Sequence, residues 1–198
     1  MQINAELVKQ LRDRTGAGMM ECKKALTDTS GDLDRAVDAL RKSGAAKAEK
    51  RADRAANEGR VESYIHPGNR VGVLIEVNCE TDFVARTPEF EELTRNLAMQ
   101  VAAAGAEYVR REDVPGDRVE RERDIYRGQM EGQGKPPAVI EKIVAGKLDK
   151  FYAEVCLMDQ PYIRDDKKAI HDIVQEAVAK TGENIQVRRF ARFRLGQD

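Results

Sequence analysis

Apolar positions along the chain follow two rhythms, one helical and one alternating, and the change from one to the other divides it. Ile3, Leu7 and Leu11 recur at helical spacing behind Asn4, a residue suited to an N-cap. Thr15-Gly16-Ala17-Gly18 breaks that rhythm, since two glycines so close favour a tight turn. The pattern predicts a second helix from Met19 or Met20 to about Thr27, with Ala25 and Leu26 facing inward. Gly31-Asp32 ends it and caps a third, whose stripe is Leu33, Ala36, Val37 and Leu40 and which Ser43-Gly44 closes. Three short helices bury little surface, so this unit is expected to lean on something else. Ala45 to Arg60, rich in Ala, Lys, Arg and Glu, reads as a solvated helical linker.

From Val61 the period drops to two. Val61 to His66 alternates, Pro67-Gly68-Asn69 is turn chemistry, and Arg70 to Cys79 alternates again, which predicts a β-hairpin. Val71, Val73, Ile75 and Val77 then share the buried side of the second strand. That strand runs into a polar turn, Glu80-Thr81-Asp82-Phe83-Val84-Ala85-Arg86. Phe83 keeps the odd phase of the strand, so it reads either as a core residue or as a probe held out toward a partner. Thr87-Pro88-Glu89 announces a helix carrying Phe90, Leu93, Leu97 and Val101, stopped by Gly105. After a connector at Asp113 to Gly116, a charge-dense exposed helix is expected from Asp117 to about Gly128. A glycine-marked loop follows, and Pro136-Pro137 opens a helix through Ile140, Ile143, Val144, Leu148, Phe151 and Val155. Asp165 is read as the cap of a helix bearing Ile170, Ile173, Val174 and Val178, and Ile185 to Leu195 as the last strand. Together these predict an α+β protein: a helical module and the start of its linker over residues 1–55, then an α+β core with a small, mainly antiparallel sheet over residues 56–198.

Composition narrows the chemistry. Lys plus Arg (34) almost cancels Asp plus Glu (35), so no global field pulls the chain toward nucleic acid or membrane. Cys22, Cys79 and Cys156 are an odd, widely spaced set that reads as reduced thiols of a cytoplasmic protein. The N-terminus lacks a basic then apolar leader, and no apolar run is long enough to span a bilayer. Gly128 to Lys135 imitates a P-loop, but its glycine spacing is wrong and Pro136 sits where a Ser or Thr must bind Mg²⁺. His66 and His171 are too few and isolated for zinc, and no nucleophile elbow is present. The chain therefore reads as a non-enzyme that needs no cofactor or metal. Two basic clusters keep an RNA-binding alternative open. Lys47, Lys50, Arg51 and Arg54 are interleaved with acids and lack aromatics; Arg188, Arg189, Arg192 and Arg194 flank Phe190 and Phe193. The second cluster equally suits an edge strand guarded by charge or a protein contact, and the neutral net charge favours those.

Two separated stretches carry a resemblance. Leu11-Arg12-Asp13-Arg14-Thr15-Gly16-Ala17-Gly18-Met19-Met20-Glu21-Cys22-Lys23-Lys24-Ala25-Leu26 resembles the N-terminal signature of the bacterial elongation factor Ts family, and Glu76 to Arg86 its second signature. Arg188-Arg189-Phe190 fits as well, so the similarity covers essentially the whole chain. The resemblance implies a guanine nucleotide exchange factor that binds the GDP form of the GTPase elongation factor Tu. It further implies a ubiquitin-associated-like three-helix module and a dimerisation-type core. On this likeness Leu11, Arg12, Thr15, Gly16, Ala17, Gly18, Met19 and Met20 belong to the partner-gripping module. Thr81, Asp82, Phe83 and Val84 form a loop that wedges near the partner's Mg²⁺ and nucleotide. Long members have a duplicated core and a protruding helical hairpin. This chain is too short for both and resembles the short form, which admits a homodimer or a two-plus-two assembly. Ala191 stands between Phe190 and Arg192, so no disulfide can cross the closing strand. A small helical module alone would also suit a ubiquitin-like-binding adaptor, a reading that leaves the Thr81–Val84 loop unexplained.

Overall fold

The computed structural model describes residues 3–197; Met1 and Gln2, where the N-terminal reading begins, and Asp198, the last residue of the predicted core, lie outside them. The architecture is α+β, with a small antiparallel sheet among many helices. The chain divides into two compact units. One comprises the chain as far as Arg60 together with Val77–Leu93 and Asp172–Gln186, and the other comprises Val61–Glu76, Thr94–His171 and the chain from Val187.

In the first unit, α1 (Ala5–Thr15) begins where the Asn4 side chain accepts from the Leu7 amide at 2.9 Å. It ends on Gly16, whose φ of 67° lets its N–H reach back to the Arg12 carbonyl at 2.7 Å. Next come α2 (Met19–Asp28) and α3 (Leu33–Glu49), the latter capped by Asp32. The three helices enclose Val8, Leu11, Cys22, Ala25, Leu26 and Ala36. The predicted stop of the third helix at Ser43-Gly44 is corrected, because α3 runs straight through it. Gly44 is there for closeness rather than for a turn: a Cβ on it would lie 3.3 Å from the Ala179 Cβ of α8 (Ile170–Thr181). The helical linker also stops short. Residues beyond α3 turn at 50–53 and are in no regular element at 55–57, before β1 begins. The Asn184 side chain donates to the carbonyls of Ala52 (3.2 Å) and Arg54 (2.7 Å), and Gln186 donates to Ala52 (3.0 Å). Carbonyls taken by side chains are lost to a helix ladder.

The sheet has the order β1-β2-β5, from β1 (Glu58–Ile65), β2 (Val71–Cys79) and β5 (Gln186–Arg194). The hairpin closes with His66 N–H to the Val71 carbonyl at 2.9 Å, and β5 returns beside β2 with Leu195 N–H on the Arg70 carbonyl at 2.9 Å. As the alternation predicts, Val73, Ile75 and Val77 are buried. Gly59 lets β1 cross β2 closely, since at φ 138° a Cβ would sit 2.2 Å from the Val77 carbonyl oxygen. β5 is an edge, as its arginines suggested. Arg110 donates to the Val187 carbonyl at 3.2 Å, and Arg189 pairs with Glu76 at 2.7 Å.

In the second unit, the later turns of α5 (Pro88–Ala104) are followed by α6 (Gly116–Gly128) and α7 (Pro137–Val155), which run side by side and are bridged by Arg127–Glu141 at 2.9 Å. Val114, Phe151, Val155 and Cys156 form a local core. The helix expected to start at Asp165 is corrected. Asp165–Ala169 is a strand, β4, paired antiparallel with β3 (Pro161–Tyr162), and α8 starts only at Ile170. Buried polar groups hold this hairpin. Gln100 donates to Gln160 (3.2 Å) and to the Pro161 carbonyl (3.1 Å) and accepts from the Ile163 amide (2.9 Å).

Candidate partner-binding site

The alternation of β2 ends at Cys79, and a different geometry takes over. Thr81 caps a single helical turn, α4 (Asp82–Ala85), accepting from the Val84 amide at 3.3 Å. A turn with helical period does not continue the in-out phase of a strand. Phe83 therefore leaves the core despite its odd number: it is 76% exposed, which corrects the core reading. Val84 and Ala85 are buried and anchor the turn from below. Thr87 locks its exit, donating to the Val84 carbonyl at 2.8 Å and accepting from the Phe90 amide at 3.3 Å. Asp82 faces solvent beside Phe83 and pairs with Arg86 at 2.9 Å across one turn.

The turn is also tied from behind. The Cys79 thiol donates to the Thr81 carbonyl at 3.1 Å. Burial, with the Glu183 charge adding to it, pushes that thiol up to about 11. Glu183 accepts from the amides of Glu80 (3.1 Å) and Thr81 (3.0 Å) and from the Thr81 hydroxyl (2.6 Å). Glu80 in return accepts from the Asn184 amide at 2.7 Å and lies 3.5 Å from Arg54. Sequence reasoning passed over Glu183 because nothing local marks it; its partner lies 102 residues away.

The other predicted set also lies in the first unit. Leu11 is fully enclosed in the module core, so it fixes α1 rather than offering a surface. Arg12, Gly16 and Gly18 are exposed, while Thr15 and Ala17 are half-buried. The Thr15 hydroxyl donates to the Leu11 carbonyl at 2.7 Å and accepts from the Ala17 amide at 3.3 Å, which makes the turn rigid. Glu21 steadies the start of α2, accepting from the Gly18 amide at 3.4 Å and pairing with Lys47. The Lys47 ammonium holds its carboxyl below the usual range. Met19 and Met20 emerge from this turn 61% and 75% exposed. The Gly16 turn and the Phe83 turn are braced by one stretch of chain, the last turn of α8 and the residues just beyond it. A Cβ on Gly16 would meet the Lys180 stem at 3.4 Å, and Glu183 follows three residues on.

Among the described residues no group of three or more His, Cys, Asp or Glu side chains could hold a metal ion, and no helix is long and apolar enough to cross a membrane.

Fold and site thus define an α+β protein that presents large apolar side chains to solvent from two rigid, capped turns. The chain belongs to the elongation factor Ts family: the sequence profile described as Elongation factor TS matches residues 5–197. It is 58% identical over 198 residues to the Elongation factor Ts of Pseudothermotoga lettingae, with both chains covered completely. It is 57% identical over 196 residues to that of Anaeromyxobacter sp. strain Fw109-5, covering 99% of this chain and 90% of that one. With that of Thermodesulfovibrio yellowstonii it shares 55% over 197 residues, covering 100% and 98%. Its role is accordingly that of a translation elongation factor.

Proposed function

We propose that this chain is a guanine nucleotide exchange factor for the GTPase elongation factor Tu, acting on the GDP form in the cytoplasm. It transfers no group and is not an enzyme. Asp82 and Phe83 wedge into the partner near its Mg²⁺ and nucleotide, with Thr81 and Val84 holding the finger, while the Arg12–Met20 turn grips the partner through Met19 and Met20. The observation that carries this reading is Phe83, a large aromatic held in solvent at 76% exposure by a turn bonded on every side. A rigid apolar anchor exposed in the free protein has little ordering to lose when it enters a pocket. GDP and the factor then favour different conformations of the partner, so each weakens the other by the same factor.

The test is release of fluorescent GDP from elongation factor Tu. Removing a Phe side chain that becomes fully buried forfeits about 1.5–3 kcal/mol, so Phe83→Ala should slow release roughly ten- to a hundredfold. A variant that exchanges like wild type would refute the wedge.

RNA binding is disfavoured by the near-neutral net charge, and part of each basic cluster is spent on acids: Lys47 on Glu21, Arg54 on Glu80, Arg189 on Glu76. No membrane partner is proposed. The chain acts as a homodimer joined through the solvent face of its sheet, where Val61, Ile65, Leu74, Phe193 and Leu195 are exposed.

A further inference from the structure

The finger's own residues do not account for its rigidity. We infer that Glu183 is its positioning residue: by holding the end of β2 and the Thr81 hydroxyl at once, it fixes the direction in which Phe83 points. This rests on the reading of the Thr81–Val84 turn as the wedge.

The geometry is specific. One carboxylate oxygen, Oε2, accepts from two successive amides, Glu80 at 3.1 Å and Thr81 at 3.0 Å. The other, Oε1, accepts from the Thr81 hydroxyl at 2.6 Å. A hydroxyl has one proton and two lone pairs. With its proton committed to Glu183, the Thr81 oxygen keeps a lone pair aimed at the Val84 amide, and that contact caps α4. The acid therefore orients the cap through the hydroxyl and pins the backbone on either side of it. Bonds to a charged acceptor are the stronger kind. A single four-residue turn has no stability of its own to replace them. The clamp is reciprocal, because Glu80 accepts from the Asn184 amide at 2.7 Å, tying together the same two chain segments a second time. Glu183 sits at the foot of the turn, half-buried, while Phe83 projects from it. It acts through Thr81. Wedging energy is lost if part of it must first order the finger, so the clamp should appear in the maximal release rate rather than in the affinity of the grip.

The experiment uses the full chain and elongation factor Tu loaded with fluorescent GDP. E183Q keeps the shape but loses the charge and turns one acceptor into a donor. The maximal release rate at saturating factor should fall about tenfold, the loss expected for charge-assisted bonds of this kind. The half-saturating concentration should stay close to wild type, and amide exchange at Thr81 and Val84 should accelerate. T81V should behave as E183Q, and the double variant E183Q/T81V should be no worse than either. Should E183Q not fold, T81V carries the test. In a Phe83→Ala background E183Q should change nothing. If Phe83→Ala is impaired but E183Q releases GDP at the wild-type rate, the positioning role is wrong and the wedge stands. If E183Q weakens half-saturation and leaves the maximal rate intact, Glu183 is a contact and the inference is equally overturned. Wild-type release by Phe83→Ala sinks the wedge itself.

Discussion

Cys79 and Cys156 are fully buried thiols, and burial is the main reason each is pushed up to about 11. Neighbouring acids add to it, Glu183 for Cys79 and Asp159 for Cys156. The sign follows from which state ionises first. In the unfolded chain an ordinary thiol loses its proton near pH 9, while the folded one holds it to about pH 11. Between those values the unfolded state binds fewer protons, so stability falls as pH rises. The stabilisation is complete below pH 9, and each thiol withdraws roughly 2 kcal/mol across the window. Urea midpoints at a series of pH values from 8 to 11 would show the fall. Cys79→Ala should flatten the slope even though it lowers stability everywhere by leaving a cavity; an unchanged slope would refute the assignment. The residue scale is also where the sequence misleads most readily. Gly44 looks like a helix stop because its use, closeness to Ala179, depends on a residue far along the chain. Glu183 carries no local signal for the same reason.

Elements whose signals are local were legible. The Asn4 cap, the glycine at 16, the period-two run of β2, the Thr87-Pro88 start of α5 and the double proline before α7 each state their structure within a few residues. The β3–β4 hairpin was not, because Asp165–Ala169 has no apolar alternation and the hairpin is anchored at Pro161 and Ile163 by the distant Gln100 instead. Gln100 is fully buried, donating to Gln160 and Pro161 and accepting from Ile163. Gln100→Leu matches its bulk but strands those groups, so unfolding stability should drop by about 1–3 kcal/mol. Hydrogen exchange should quicken at the Ile163 amide before it does in α7. Equal protection there in variant and wild type would mean that backbone pairing alone holds the hairpin. The finger lies between these cases: its motif was readable, and its outward direction followed from the resemblance and not from periodicity. Periodicity carried Phe83 inward, whereas the Thr81 cap had already replaced the strand with a helical turn.

At the scale of the whole molecule, one face of the sheet remains apolar and uncovered in the single chain. Val61 and Ile65 on β1, Leu74 on β2, and Phe193 and Leu195 at the end of β5 are exposed together. Ile65 lies across Gly72, 3.0 Å from where a Cβ would stand, which leaves a shallow groove lined also by Phe193 and Leu195. Clustered exposed apolar side chains of this kind suit an interaction surface. A second copy suits it because a two-fold pairing sets the same patch against itself. Apolar surface then meets apolar surface, and the nearby Arg189 and Glu76 pair with each other within one chain at 2.7 Å. The near-zero net charge offers little long-range repulsion to oppose association. Sedimentation equilibrium should therefore give twice the 22.2 kDa chain mass at micromolar concentration. Phe193→Asp puts a charge into this exposed patch and should return the mass to one chain, with the circular dichroism spectrum unchanged. A wild-type mass of one chain at every concentration would leave the face without a second copy, and the homodimer would be wrong.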